Sequence, residues 1–369
     1  MAETRRGRPT MNDVATTAGV ALKTVSRVVN DEPGVNAATA ERVRQAIDLL
    51  GYRRNDGARV LRRGRTASIG LIIEDVADPF YSGLSRAVED VALRNDCLVF
   101  TGSSGEDPQR ERKLVLAFCA RRVDGLVIVP AGSDHGYLAP ELSAGIHAVF
   151  ADRPAGAGLD VDTVLCDNAG GARSGVAHLI AHGHRRIAFL GDSAAIFTAA
   201  ERFRGYRQAL EAAGLPYDES LVAMGTPEQA RVQADLGRLI ALDDPPTALF
   251  TGNGRTTVTT LRALEALRAT TGPLDDHGAT VRPLGAPGPR SLYPAGLDLA
   301  IVGFDDFELA DMLTPAITVI AQDAAGLGRT SAELLFRRLS GDDPPAQRVQ
   351  LPTHLIPRGS GELPPRSCP

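Results

Sequence analysis

The chain has no tryptophan, and aromatic residues make up only 5% of its 369 residues. Any ring stacked on a ligand must therefore be Phe or Tyr. Its four cysteines, Cys97, Cys119, Cys166 and Cys368, show no Cys-x-x-Cys spacing, and three lie in apolar runs. Buried free thiols in a reducing cytosol are expected. No apolar run is long enough to span a bilayer, and the first residues carry no apolar h-region. Neither a membrane segment nor a secretory signal is expected, which points to a cytoplasmic protein. There is no Walker phosphate loop, and Gly252-Asn253-Gly254 is too short for a dinucleotide fingerprint. His178 and His182 share a helix face near His184, but no Cys or carboxylate completes a metal set. No nucleophile–base pair can be argued. The expectation is no enzyme, no cofactor and no metal.

What is present is a soluble composition with an uneven charge. Hydrophobic residues are 43% and charged residues 23%, and the length allows two or three domains. The net charge of -5 hides an asymmetry. Residues 1–65 carry 13 Lys+Arg against 7 Asp+Glu, a net of +6, which leaves -11 for the remainder. A basic head on an acidic body points to a polyanion partner at one end. Arg greatly outnumbers Lys, which suits phosphate forks but also follows from a GC-rich coding bias.

Thr10 to Asn30, TMNDVATTAGVALKTVSRVVN, reads as two short helices and a tight turn. Met11, Val14, Ala15 and Ala18 recur at helical spacing behind Thr10, an N-cap type. Gly19 can take the left-handed conformation that ends a helix, and Val20 then plugs the angle. In the second helix, from about Ala21 to Val29, Val25, Val28 and Val29 face in. Leu22, Lys23, Ser26 and Arg27 face out. This is a helix-turn-helix pattern, whose second helix can lie in a DNA major groove. Lys23 and Arg27 reach guanine edges or phosphates, and Leu22 a thymine methyl. The bare pattern also fits a helical hairpin with a solvated charged face. A third helix follows from Asn36 to Leu50, with Val43, Ala46, Ile47 and Leu50 as its apolar stripe and Gly51 as its stop.

DVATTAGVALKTVSRVVN followed by GYRRNDGARVLRRGRT resembles the DNA-binding head and hinge of the LacI/GalR family of bacterial transcription regulators. The family wording is VA-x-x-AGVS-x-x-TVSR-V-x-N, then GY-x-PN-x-x-AR-x-L. Here Ala21 replaces the Ser that caps the recognition helix, and Arg54 replaces the hinge Pro. The resemblance implies base reading by Leu22, Lys23 and Arg27, and phosphate positioning by Thr10, Thr24, Ser26 and Asn30. It implies a hinge helix over Asn55–Arg63, with Asn55 and Ala58 on the DNA and Leu61 wedged into the minor groove. A segment this short is marginal alone, and a flexible tether is the alternative. Residues before Thr10 read as a solvated arm.

From Ala67 the period changes to strand then helix, repeated. Strands are expected at Ile69–Ile73, Cys97–Thr101, Gly125–Val129, Ala148–Phe150, Ile187–Leu190, Ala248–Thr251 and Leu299–Phe304. Helices are expected at Tyr81–Asn95, Gln109–Arg121, Gly170–His182, Arg202–Ala213, Gln229–Ala241 and Thr257–Ala269. Such alternation means parallel, doubly wound α/β sheets, and the strands are too many for one compact unit. The phrases VDGLVIVPAG, HLIAHGHRRIAFLGD and IVGFDD resemble the two-lobed periplasmic-binding-protein-like core of the same family, to about Ser360. The expected domains are a small all-α head at 1–52, a hinge at 53–66, a core at 67–360 and a tail at 361–369. The N-lobe is expected at about 67–165 and 322–340, the C-lobe at about 166–320 and 341–360. The Pro/Gly-rich stretch 269–294 reads as an insertion, or else a flap.

Ligands of open parallel sheets bind beyond the carboxyl ends of the strands. Asp78-Pro79-Phe80-Tyr81, Asp152-Arg153, Asp192, Asn253 and Asp305-Asp306 all follow strands. Converging carboxylates, an amide and a ring suit a neutral polyhydroxylated ligand. The resemblance assigns effector contacts to Phe80, Asp152, Ile196, Thr198, Arg202, Asn253 and Asp305. Asp192 and Asp306 are expected only to cap helices. Gly254 stands where the family has Asp after Asn253, which leaves the ligand class open.

The chain is therefore expected to be a homodimeric, ligand-responsive transcriptional regulator, a repressor released from a pseudo-palindromic operator by a sugar-like effector. Its dimer face is expected to include Tyr81–Asn95. The alternatives are control by a co-repressor or partner protein, or a solute-binding protein without DNA.

Overall fold

The computed structural model describes residues 9–53, 66–270, 299–342 and 344–365. The chain divides into two compact units, Met1–Thr66 and Ala67–Pro369. Asn55, Ala58 and Leu61 of the expected hinge and most of the expected insertion lie outside the described residues.

The first unit is three helices, α1 (Met11–Ala18), α2 (Leu22–Val29) and α3 (Ala37–Leu50). Thr10 and Asp13 form a reciprocal capping box that satisfies the first amides of α1. At the other end Gly19 turns left-handed, at φ 63°, and the chain re-enters a helix within three residues. Ala21 gives α2 no side-chain cap, as its methyl requires. Asn36 caps α3 through the Thr39 amide at 2.8 Å. Val14, Val25 and Val43 are fully buried where the three helices meet, with Val20, Val28 and Val29 packed around them.

The second unit is two lobes, each built on a six-stranded sheet. The first sheet holds β1 (Ser68–Ile73), β2 (Leu98–Ser103), β3 (Gly125–Ile128), β4 (His147–Ala151), β5 (Asp162–Cys166) and β11 (Arg348–Leu351) in the order β11-β5-β4-β3-β1-β2. Around it run α4 (Pro79–Arg94), α5 (Pro108–Ala120) and α6 (Ala139–Ser143). The second lobe opens with α7 (Asn168–Ala181) and alternates β6 (Ile187–Gly191), α8 (Phe197–Ala212), β7 (Val222–Met224), α9 (Gln229–Ile240), β8 (Ala248–Thr251), α10 (Gly254–Thr270) and β9 (Ala300–Phe304). It closes with β10 (Thr318–Gln322) and β12 (Thr353–Ile356), giving the order β12-β10-β9-β8-β6-β7. The two orders correspond strand for strand. Among the strands of the described residues, pairing is parallel except between β10 and β12. The central strands β1, β3 and β9 are buried throughout, as strands covered by helices on both faces must be.

The chain crosses between lobes after β5, after β10 and between β11 and β12. The last crossing corrects the expected division. Residues 341–360 are not all second lobe, because Arg348–Leu351 pairs in parallel with β5. The strands missed in the sequence, β5, β7, β10, β11 and β12, are no shorter than several that the sequence shows, apart from β7, but most carry polar residues such as Asp162, Thr318, Gln322, Arg348, Gln350, Thr353 and His354, which break the apolar run. The missed helix α11 (Ala324–Leu339) carries Gly326 and Gly328 in its first turns, which masks its pattern. The second glycine is obligatory for the packing: a methyl on Gly328 would lie 2.2 Å from the Leu84 carbonyl oxygen of α4. Nor does a free tail start at 361. Glu362 accepts from Thr318 Oγ1 at 2.8 Å and meets His178 Nε2 at 2.5 Å, while His184 Nε2 meets the Leu363 carbonyl at 2.7 Å. The histidine group of HLIAHGH thus pins the end of the core.

Asp162 opens β5 with no exposed surface, and it joins three elements of the first lobe. Arg338 of α11 donates to it through Nε at 2.5 Å and Nη2 at 2.9 Å, and the Gln347 amide donates at 2.8 Å. Burial alone would raise its pKa, but Arg338 and the Gln347 amide outweigh it and hold the carboxyl below its ordinary value. The pair contributes stability above the ordinary Asp range and loses it as pH falls through the depressed folded value. Asp162→Asn is expected to cost about 3–5 kcal/mol at neutral pH, as removal of one partner of a buried pair does. Urea unfolding at pH 7 and pH 3 tests this; the gap between variant and parent should narrow in acid.

Candidate functional sites

The first site is the outer face of α2. Its inward residue Val25 is fully buried, while Leu22 keeps 47% of its surface exposed. Lys23 is exposed beside it, and Thr24, Ser26 and Arg27 are half-buried. Ser26 Oγ accepts from Asn30 Nδ2 at 3.2 Å, so these two hydroxyl and amide groups are held together one helical turn apart. The Arg27 guanidinium lies along the turn after α2, within 3.4 Å of where a side chain on Gly34 would begin. An apolar contact, an ammonium and a guanidinium thus share one accessible helix face. Thr10 stands apart from that face chemically. Its hydroxyl and amide both donate to Asp13 at 2.7 Å, so its role as a phosphate contact competes with the cap.

The second site is a cleft between the lobes, a cavity of about 420 Å³. It lies at the carboxyl ends of the strands, where the topology rule places ligands. All seven candidate residues, Phe80, Asp152, Ile196, Thr198, Arg202, Asn253 and Asp305, line it. Phe80 and Asp152 come from the first lobe and the others from the second. Helix α8 starts earlier than its sequence pattern suggests, at Phe197, so Thr198 and Arg202 lie one turn apart on one face.

Arg202 is buried, and two of its three nitrogens are engaged. Its Nε donates to Asn168 Oδ1 and its Nη1 to the Gly252 carbonyl, each at 2.8 Å. Its plane stacks 3.9 Å above the Phe304 ring, and Nη1 stands 3.6 Å from Asp305 Oδ2. Asp305 also accepts from the Gly254 amide at 3.1 Å and from Gln322 Nε2. Gly254 therefore has a use at its position: its amide reaches the acid.

Asp152 and Asp305 follow corresponding strands, β4 and β9, and both turn left-handed there, at φ 68° and 72°. This costs energy at non-glycine residues and is common where a site over-determines the backbone. Asp152 is 2% exposed, and its Oδ1 is buried with no hydrogen-bond partner. Burial raises its pKa against the pull of Arg153 and Arg202. That oxygen has almost no accessible surface, so it sits behind the cavity wall, and its lack of a partner among the described residues marks the strain of the site.

Asn253 is more committed than expected. Its Oδ1 caps α10 through the Thr256 amide at 2.7 Å, and its Nδ2 donates to Asp192 at 3.1 Å. One N–H is left for a ligand. Asp192 is thus no helix cap; α8 begins after Ile196, and the acid orients Asn253 from the cleft wall. Asp306 is no cap either, since the strand β9 leads into a turn. It takes a two-pronged ion pair from Arg358, at 2.6 and 2.7 Å.

Sequence reasoning missed a second charged group in the first lobe. Arg153 is buried and grips Glu106 with both terminal nitrogens, at 2.8 and 2.6 Å, and donates to Tyr81 Oη at 3.1 Å. Glu74 stands 3.6 Å from the same guanidinium. Glu74 immediately follows β1, as Asp192 immediately follows the corresponding β6, so the strand-end rule could have found it. Across the cleft Arg255 of α10 donates to Glu74 at 2.7 Å.

Family models match both the head and the two-lobed body. The model of bacterial regulatory proteins of the lacI family matches residues 10–55, and that of periplasmic binding proteins and the sugar binding domain of the LacI family matches residues 66–273. A periplasmic binding protein-like domain model matches residues 294–361. The HTH-type transcriptional regulator CelR of Thermobifida fusca is 34% identical over 97% of this chain and 99% of its own length. A solved CelR–cellobiose complex is 31% identical, with a TM-score of 0.64 over 96% of this chain and 100% of that one. The lac repressor dimer bound to operator and the anti-inducer ONPF is 26% identical, with a TM-score of 0.75 over 96% of this chain and 99% of that one. No helix among the described residues is long and apolar enough to cross a membrane. With a reading helix in a basic head and a ligand cleft between two corresponding sheets, the chain belongs to the LacI family of bacterial regulatory proteins and is a helix-turn-helix transcriptional regulator.

Proposed function

We propose that the chain is a repressor that binds a pseudo-palindromic operator as a homodimer and releases it when a small neutral sugar enters the cleft. The observation that carries the ligand class is the charge of the cleft. Among the described residues seven carboxylates line it against four guanidiniums, including the engaged Arg153 and Arg202. An anionic ligand would meet net repulsion there, whereas each carboxylate can accept sugar hydroxyls. Phe80 offers a ring at the same wall. That a relative was solved with cellobiose supports the sugar class and makes cellobiose the first probe.

In this reading Leu22, Lys23 and Arg27 read bases, and Thr24, Ser26 and Asn30 position phosphates, with Asn55, Ala58 and Leu61 in the segment that follows the head. Dimerisation is supported by a run of exposed apolar side chains on the first lobe: Leu93 of α4 and Leu98 and Phe100 of the edge strand β2. Two heads on one two-fold axis suit two half-sites. The effector acts by binding one arrangement of the lobes better than another, a coupling typically of about 1–3 kcal/mol.

Arg27→Ala is expected to weaken operator binding by about 1–3 kcal/mol, roughly 5- to 150-fold, if it reads a base. Gel shifts on the promoter fragment bound by the parent chain, at fixed salt, measure it. Arg44→Ala, an exposed change on α3, is the control; equal effects from the two would remove Arg27 from the reading set.

Asp305→Ala is expected to lose about 1.5–3 kcal/mol of effector affinity, the usual worth of a hydrogen bond to a charged group. Operator binding without effector should stay within about twofold of the parent, since α2 is untouched. Calorimetry and gel shifts across a panel of cellobiose, galactose and ribose test both parts. Retention of full effector release in the variant would defeat the cleft assignment.

A further inference from the structure

Glu74 and Arg255 come from different lobes. Glu74 is the residue directly after β1, and Arg255 lies in the first turn of α10. Arg255 Nη1 donates to Glu74 Oε1 at 2.7 Å, and both residues line the cleft. Within its own lobe the Glu74 carboxyl shares a hydrogen bond with Glu106, which needs a proton on one of the two acids, so an ionised Glu74 has little other support there. The guanidinium beside it, Arg153, already gives two hydrogen bonds to Glu106 and faces Asp152 at 3.4 Å, and it stands off Glu74 at 3.6 Å. The acids Glu106, Asp152, Asp75 and Asp78 surround the same corner, and Tyr81 fills it from α4. If the lobes part, Arg255 leaves and Glu74 is left among acids beside a guanidinium committed elsewhere.

We propose that Glu74 and Arg255 form a latch across the cleft that favours the closed arrangement of the lobes and so raises affinity for any ligand that touches both. The inference rests on the sensor reading above. Closure is what brings Phe80 and Asp152 within reach of a molecule held by Arg202 and Asp305. A ligand that needs both sets binds in proportion to the population of the closed arrangement. Arg255 is half exposed, at 49% of its side chain, and Glu74 only 13%, so solvent screens the pair from one side. The latch is therefore a bias of about two- to fivefold in the closed-to-open ratio rather than a lock.

The bias depends on pH. Burial and the neighbouring Glu106 raise the Glu74 carboxyl to about 7, against the pull of Arg153 and Arg255. The latch needs Glu74 ionised, so it is intact above that value and fails as pH falls through it. Parting the lobes removes the Arg255 cation, which raises the affinity of Glu74 for a proton, and admits water to the carboxyl, which lowers it.

The test uses the full chain carrying Cys368→Ser, with nitroxide labels on Lys113→Cys and Gln233→Cys, exposed positions of α5 and α9 on opposite lobes. Cys97, Cys119 and Cys166 are buried and stay unlabelled. Pulsed electron paramagnetic resonance, on labelled chain diluted with unlabelled chain, reads the inter-lobe distance. At pH 8, Arg255→Ala and Glu74→Gln should each shift the distribution to longer distances, and the double variant should shift it no further than either. An unchanged distribution in Arg255→Ala, or single shifts that add in the double variant, overturns the latch. Cellobiose calorimetry runs in parallel. Weaker binding to Arg255→Ala is the expected result; if cellobiose and the other sugars fail to bind the parent, the sugar reading falls while the distance measurement still decides the latch.

Discussion

A guanidinium with almost no contact with water organises the second lobe. Arg202 takes its charge below the cleft surface, where an unpaired cation would be prohibitive. It survives there because everything around it is an acceptor or a π-face: Asn168 Oδ1, the Gly252 carbonyl, the Phe304 ring and Asp305. They come from three different parts of the lobe. Asn168 begins α7 just after the first crossing, Gly252 follows β8, and Phe304 with Asp305 ends β9. One side chain thus fixes the relative positions of three strand or helix ends that form a wall of the cleft. Asp305 then presents its carboxylate at a defined place, with Gly254 and Gln322 holding its two oxygens.

The first lobe solves the same problem differently. Its corresponding strand end bears Asp152, in the same left-handed conformation, but the neighbouring guanidinium is Arg153, the next residue in the chain. Arg153 spends its terminal nitrogens on Glu106, Tyr81 and the Pro130 carbonyl, leaving one Asp152 oxygen unpaired at depth. The two lobes therefore share topology and acid position while differing in how well the acid is satisfied. Asp305 keeps lone pairs beyond its bonds to Gly254 and Gln322 and can still accept from a ligand, whereas the unpaired Asp152 oxygen is shielded from the cavity.

Much of this was legible before any coordinates. The helix-turn-helix could be read because each local choice agrees: the cap at Thr10, the left-handed Gly19, and the valines at 14, 25 and 43 that close the core. The alternating body could be read from long buried strands such as SIGLII. The seven cleft residues followed from strand ends and family wording, and the chain brings them to one cavity. What stayed hidden has physical causes. The three-residue Val222–Met224 holds no measurable period and polar residues break Arg348–Leu351, so the place of each is set by the partner strand. Glu74 was passed over for Asp78, although both follow β1, because Asp-Pro-Phe reads as a helix start; Asp78 indeed caps the Phe80 amide at 2.9 Å. Glu106 and Arg255 also follow strands, β2 and β8, but only the packing of the lobes shows what they meet.

The distribution of ion pairs explains how such a body can act as a switch. Pairs that are deeply buried lie within a lobe: Asp162 with Arg338, Glu106 with Arg153, Asp305 with Arg202. Breaking any of these would leave a charge stranded in a low-dielectric interior, so each lobe resists deformation. The pair that joins the lobes, Glu74 with Arg255, is the one with an arm in water. Its loss costs little because solvent replaces the partner. Rigid lobes with a weak bond between them form a two-state element rather than an elastic one, since packed interiors rearrange as units. The energy separating the states is then small enough for one bound metabolite to reverse, which is the condition for the cleft to govern anything beyond itself.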